Sequence, residues 1–181
     1  RVLTKKLESW GYHQTTTDLA LFVKHENGKV VGLLPVHVDD GKLRATEKEA
    51  KWLFQKFKED SQITLSSIEK QNFGEPVEFC GLQYVEDKTG TTINQDLYVK
   101  NKLEHLDVTH LRNTDPEKFL EGQDVKTYGT TVGRLIWLLP TQLKQGFEIS
   151  FLSRYRAYPR TKHFRRIAAV VKAIKSEPGR I

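Results

Sequence analysis

Two neighbouring carboxylates, Asp39 and Asp40, close the string His37-Val38-Asp39-Asp40, and they follow directly on an apolar run, Val30-Val31-Gly32-Leu33-Leu34-Pro35-Val36. Like charges a few ångströms apart oppose each other's ionisation, so an adjacent pair at the end of a buried strand is relieved by a positive partner. A hard divalent cation meets that need. Mg2+, or Mn2+ in its place, takes oxygen ligands and combines one or two carboxylates with substrate phosphates, as in two-metal nucleotidyl transfer. Asp39 and Asp40 are therefore the candidate metal ligands and catalytic residues. The same letters have a plainer reading, because Asp40-Gly41 is also a strong turn signal that needs no metal.

A second chemistry is written in the last stretch of the chain. The formal net charge is +6, and residues 150–181 hold Arg154, Arg156, Arg160, Lys162, Arg165, Arg166, Lys172, Lys175 and Arg180 against Glu177 alone. So unbalanced a face is repulsive without a polyanion. Tyr155, Tyr158 and Phe164 are interleaved with the cations, a mixture that suits a phosphate backbone with occasional base stacking. Arg154, Arg156, Arg160, Lys162, Arg165, Arg166 and Lys172 are the expected contacts with RNA, DNA or an RNA–DNA hybrid. An amphipathic helix with a solvated basic face accounts for the stretch as well, since Phe164, Ile167, Ala168, Val171 and Ile174 fall at helical spacing.

The elements that must position these residues follow an α+β order. Leu3, Leu7 and Trp10 mark the tail of a helix that turns at Gly11. Segments 20–25 and 29–38 read as two strands joined at Glu26-Asn27-Gly28-Lys29, where Asn-Gly favours a type I′ hairpin, and this puts Asp39 and Asp40 at the hairpin's far end. Thr46 and Glu49 spell a capping box, followed by a helix burying Ala50, Leu53 and Phe57. Segments 63–69 and 77–86 read as a further strand pair, with 91–93 as a short strand after a turn at 87–90. A helix is predicted over 95–106. The polar segment 109–125, with Asp115-Pro116 and Gly122, has no periodicity and reads as a linker. Beyond it the chain reads as all-helical. One helix carries Tyr128, Val132, Leu135, Ile136 and Leu139 and ends at Pro140, a second carries Phe147, Phe151, Leu152 and Tyr155, and the basic helix begins after Thr161.

Composition narrows the class. At 181 residues the chain can hold one domain, or one and a half, with a sizeable core. It begins at Arg1 and contains no Met, so it is expected to be a fragment or a processed product. Cys80, the single cysteine, rules out a disulfide within the chain and reads as a small buried hydrophobe in a strand, in a reducing compartment. With no signal-like start and no apolar run of about 18 residues, a soluble intracellular protein, cytoplasmic or nuclear and without a membrane partner, is expected. His13, His25, His105, His110 and His163 are scattered without zinc-ligand spacing. Trp10, Trp52 and Trp137 fall on apolar helix stripes and read as core.

Six segments carry a resemblance. They are Trp10-Gly11-Tyr12-His13-Gln14 with Asp18-Leu19-Ala20-Leu21-Phe22-Val23, the stretch 33–40, Phe79-Cys80-Gly81-Leu82-Gln83-Tyr84, the stretch 93–99, the stretch 128–138, and Leu152-Ser153-Arg154-Tyr155 with Pro159 and His163. In order and spacing they resemble the reverse transcriptase of copia-type LTR retrotransposons, and stretch 33–40 is similar to that family's "LLLYVDD" strand and catalytic box. The resemblance implies a palm-like subdomain over 1–108, with an antiparallel sheet and helices, and an all-helical thumb-like or connection-like subdomain over 126–181. It implies an RNA-directed DNA polymerase that binds template-primer nucleic acid, with Asp39 and Asp40 holding catalytic Mg2+ or Mn2+. His37 and Val38 would then lie beside the primer terminus. Gln95 would cap its helix or touch the primer strand, and Ser153 and Arg154 would pack a helix or contact phosphate. The partners implied are nucleic acid, other parts of a larger polyprotein, or a second subunit.

The departures from the family bear on catalysis. His37, a smaller ring, replaces the family's aromatic Tyr. Gly41-Lys42-Leu43-Arg44-Ala45-Thr46 replaces an apolar β run, which weakens the second strand, and Pro35 removes a ladder donor just before the box. The family's third carboxylate and its basic fingers region match no segment of this chain, so the isolated chain is expected to be inactive as a polymerase. Two expectations therefore stand together: a polymerase fragment carrying two catalytic aspartates, and a domesticated or decayed reverse-transcriptase-like module that binds RNA or protein without catalysis.

Overall fold

The computed structural model describes residues 2–38, 40–65 and 67–181. The chain divides into two compact units, Arg1–Gln71 and Asn72–Ile181. The class is α+β, with antiparallel sheets and six α-helices among the described residues.

In the first unit, helix α1 (Val2–Ser9) leads into strands β1 (Tyr12–Gln14), β2 (Leu21–Glu26) and β3 (Lys29–His37), and two short strands, β4 (Asp40–Gly41) and β5 (Arg44–Ala45), pair with β3. Asn27 and Gly28, at φ 52° and 74°, turn β2 back on β3 as the Asn-Gly pair predicts, because both positions of such a turn require positive φ. The β2–β3 register pairs Phe22 with Leu34, and the two side chains are buried on one face. Helix α2 (Glu47–Glu59) covers that face, burying Glu49, Leu53 and Phe57. Thr46 caps α2 by accepting from the Glu49 backbone N–H at 3.2 Å.

The carboxylate of Glu49 does not turn back to complete the capping box. It accepts from the Tyr12 hydroxyl at 3.0 Å and pairs with Lys24 Nζ at 3.0 Å. The Lys24 ammonium also lies 3.4 Å from the centroid of the Trp52 ring. Burial, with Glu49 beside it, pushes the Tyr12 hydroxyl well above its ordinary pKa. Space for Tyr12 exists because Gly32 has no side chain: a Cβ there would collide with the Tyr12 oxygen. One acidic side chain thus ties α2 to β1 and β2.

The second unit opens with a meander, β6 (Pro76–Phe79), β7 (Leu82–Asp87) and β8 (Gly90–Asn94). Its strands differ from those expected. The described residues of 63–69 form no strand, and 77–86 is itself a hairpin, turned at Cys80 and Gly81 with φ 53° and 71°. Cys80 therefore sits in a turn, half-buried, rather than inside a strand. Helix α3 (Asp96–Lys102) follows and is shorter than 95–106, although Leu103 and Leu106 are still buried. Asn94 Oδ1, not Gln95, accepts from the first helical N–H, that of Asp96. Gln95 instead donates to the Trp137 carbonyl and accepts from the Thr141 hydroxyl.

Three helices complete this unit: α4 (Gly122–Trp137), α5 (Gly146–Ser153) and α6 (Thr161–Ser176). Val132, Leu135, Ile149, Leu152, Phe164, Ile167, Val171 and Ile174 form their common core. The Tyr128 hydroxyl donates to the Leu152 carbonyl at 2.7 Å and ties α4 to α5. Segment 109–125 is not a free linker, because it sends Leu111 and Leu120 into that core. Its backbone is also pinned to the entry of α6, through Leu120 N–H to Pro159 O at 2.9 Å and Thr161 N–H to Lys118 O at 2.9 Å. The division between units accordingly falls at Gln71, and the meander belongs with the helices. Trp137, expected in the core, is half-exposed and rests against Gly81. Ile181 pairs back onto β8, exchanging backbone hydrogen bonds with Ile93 at 2.7 and 3.0 Å. Among the described residues no helix is long and apolar enough to cross a membrane.

Glu49→Ala should lower the stability of the chain by about 3 kcal/mol, because Lys24 and the Tyr12 hydroxyl are left mostly buried and unpaired. The check is the urea midpoint of unfolding followed by circular dichroism; a midpoint equal to wild type would mean that the buried carboxylate does not hold the sheet to α2.

Candidate functional site

Strand β3 delivers the candidate carboxylates. It is flanked by β2 on one side and by β4 and β5 on the other. Val36 pairs with Gly41 and His37 with Asp40, so only positions 38 and 39 connect the two strands. The same register continues through Leu33 with Arg44 and Gly32 with Ala45. β4 and β5 are one ladder interrupted opposite Leu34 and Pro35. Pro35 has no N–H to give, while its carbonyl still accepts from Lys42 at 3.1 Å, so the break has a local chemical cause. Pro35 therefore lies in a strand paired on both sides, its missing donor facing the gap.

At the tip His37 and Asp40 are exposed, and Val38 is 81% exposed at φ 52°. A β-branched residue in the left-handed region is strained, at a cost of order 1–3 kcal/mol, and such strain gathers at functional sites. Asp39 lies outside the described residues. Among the described residues no group of three or more His, Cys, Asp or Glu side chains is arranged to hold a metal. Asp40 offers an exposed oxygen donor of the type a hard cation takes.

The basic residues are not one free face. Arg166 makes a two-pronged pair with Glu148, at 2.6 and 2.7 Å, and lies over the Phe151 ring. Arg165 donates to the carbonyls of Leu111, Arg112 and Thr114, holding segment 109–125 against α6. Arg160 and Lys162 both reach Glu117. Lys175 donates to the Leu103 carbonyl at 2.7 Å, and Arg180 pairs with Asp96 at 3.3 Å. Arg154, Arg156 and Lys172 are exposed and take no part in these pairings. Three acidic partners from outside the stretch, Glu117, Glu148 and Asp96, thus neutralise part of the charge that the sequence left unbalanced, and Arg165 is a structural brace. The apolar stripe of α6 is buried as its spacing predicts.

His163, which the sequence offered as one of several scattered histidines and as the end of the last resembling segment, is a keystone of α6. It is buried, its Nδ1 accepts from the Arg160 backbone N–H at 3.1 Å, and its ring stacks on Tyr155 at 3.8 Å between centroids. The signal that could have found it is its place three residues after the helix-capping position. Burial lowers its pKa, and Lys162 and Arg160 add to the shift.

Two outcomes follow from this geometry. Val38→Asn should stabilise the chain by about 1 kcal/mol, since Asn tolerates positive φ, and a thermal or urea midpoint at or below that of wild type would argue against strain at the tip. For His163 the folded pKa is below the ordinary imidazole value of 6.5, so the unfolded chain takes up the proton first. Its contribution is intact above that value and is lost as the pH falls through it towards the folded pKa. His163→Asn, which keeps an acceptor but cannot titrate, should flatten the dependence of the urea midpoint on pH between neutral and mildly acid solution.

No protein-family model, no curated protein and no solved structure matches this chain.

Proposed function

We propose that this chain is the palm and thumb piece of an RNA-directed DNA polymerase of the copia type, with Asp39 and Asp40 as two of its metal-binding catalytic carboxylates. The observation that carries the reading is the hairpin tip. His37 pairs with Asp40 across a two-position connection, at the end of a central strand, and Val38 there is strained. A short connection on a paired strand holds side chains more tightly than a loop does, which suits groups that must meet a phosphate within a fraction of an ångström.

Asp39 and Asp40 would hold Mg2+ or Mn2+, which when bound supplies charge stabilisation to a transferring phosphoryl group. The chain's own residues orient the site. Exposed His37 and Val38 border the place of the primer end, and the Tyr12–Glu49–Lys24 cluster keeps the sheet beneath it rigid. Arg154, Arg156 and Lys172 are the cations open to template-primer phosphates. With two carboxylates and most of the coordination left to water, affinity is weak and the isolated chain does not polymerise.

A second reading, a reverse-transcriptase-like module that binds RNA or protein without catalysis, is favoured by one observation. Trp137, Leu143 and Phe147 are 50%, 72% and 74% exposed, more apolar surface than a template grip requires.

The test is a titration with Mg2+ or Mn2+ followed by NMR. Backbone signals at Asp40 and Gly41 should shift with millimolar affinity. Asp39→Asn with Asp40→Asn should abolish the shift while leaving the fold intact or slightly more stable, because a like-charge repulsion is removed. No shift in the wild type at millimolar metal would sink the polymerase reading and leave the binding module.

A further inference from the structure

Phe119, Tyr155, Tyr158, Arg160, Lys162 and His163 line an open cleft of about 360 Å³ in the second unit. Two of its rings are presented to solvent, Phe119 at 51% and Tyr158 at 77% exposure. Large aromatic side chains are stable in water only at a cost, and here two of them meet at one cleft with two cations. The Arg160 guanidinium lies 4.8 Å from the centroid of the Phe119 ring. Tyr155 is held in place by its stack on buried His163.

The walls are fixed in advance. Phe119 and Arg160 form a backbone bridge, flanked by the hydrogen bonds from Leu120 to Pro159, from Thr161 to Lys118 and from Lys162 to Pro116. Phe119 and Arg160, anchored in this way, lose little backbone freedom when a ligand arrives. The two cations of the cleft share an oxyanion from the chain itself. Glu117 receives both Arg160 and Lys162, and these two partners hold its carboxyl below the usual carboxylate range. Two cations converging on one carboxylate form a seat for an anion, and Glu117, itself exposed, can exchange for another.

We infer that this cleft binds unpaired nucleotides of single-stranded RNA or DNA. Bases stack on Phe119 and Tyr158, and a phosphate takes the place of the Glu117 carboxylate between Arg160 and Lys162. A nucleotide joins a flat π-face to an anion within one unit, the combination this cleft offers, and stacking of this kind is indifferent to base identity. The rings, cations and carboxylate stand independently of the hairpin tip; only the choice of nucleic acid over another anionic aromatic ligand rests on the proposed polymerase ancestry.

The experiment is fluorescence anisotropy of the full chain with a short labelled single-stranded oligonucleotide of mixed sequence and with an abasic strand of the same length, in EDTA. The base-carrying strand should bind several-fold more tightly than the abasic one. Phe119→Ala and Tyr158→Ala should each weaken it by about tenfold, leaving the abasic strand unaffected, while Tyr158→Phe should bind as wild type. Glu117→Gln should tighten binding and steepen the fall of log K with log salt by about 0.7 for each additional phosphate neutralised. Equal affinity for the two strands, or a Glu117→Gln variant that binds no better, would overturn the inference and leave a plain polyanion surface. EDTA silences any metal at Asp39 and Asp40. Absence of stacking here alongside metal shifts at the hairpin would overturn the cleft alone, and the converse would overturn the polymerase reading alone.

Discussion

The first unit depends on a carboxylate in the wrong place by composition. Glu49 lies on the buried stripe of α2, where a sequence of this kind would be expected to put a leucine, and it faces the sheet. An isolated carboxylate there would be expelled or neutralised. It is tolerated because Tyr12 and Lys24 reach it from neighbouring strands and Gly32 leaves room for the tyrosine. Four residues from β1, β2, β3 and α2 therefore have to be right together. A cluster of this kind adds little net energy compared with an apolar replacement, yet it fixes register, because a one-residue slip of β2 would turn Lys24 to the opposite face. The hairpin tip inherits its position from that register.

The second unit handles charge in the opposite way, at the surface. Glu117, Glu148 and Asp96 meet cations from α6 and beyond, and the pairs are at least partly exposed. Such pairs contribute little to stability one by one. Their larger effect is on what remains: the field that a polyanion would sense comes from a few cations rather than from a continuous basic helix.

What could be read from the sequence was what local chemistry decides. The Asn27-Gly28 turn, the pairing of 20–25 with 29–38 and the apolar stripe of α6 each follow from residues that are neighbours in the chain, and the structure has them. The meander was misread because Cys80-Gly81 is an unusual turn pair, and Cys80 takes a positive φ that its side chain disfavours. Segment 109–125 looked like a linker because it is polar on average. Two leucines and a set of backbone hydrogen bonds, invisible in any window, pack it down. The acidic partners of the basic arm, Glu117, Glu148 and Asp96, were hidden for the same reason, since they lie outside the arm itself. At the tip, the hairpin was legible, whereas the strain at Val38 and the interruption caused by Pro35 needed the register. The ring-and-cation cleft joins Phe119 to residues from Tyr155 onward, and no periodicity links them.

The pairing of Ile181 with Ile93 closes a long loop of chain around the helices of the second unit. Pairings so distant in sequence form only after the chain between them is ordered, because the entropy of closing the loop is lost before the hydrogen bonds are made. The outer edge of the meander is therefore the last part of that unit to be satisfied. Until then β8 offers open backbone donors and acceptors to any other strand, so the interval before closure is when this chain is most prone to associate with copies of itself.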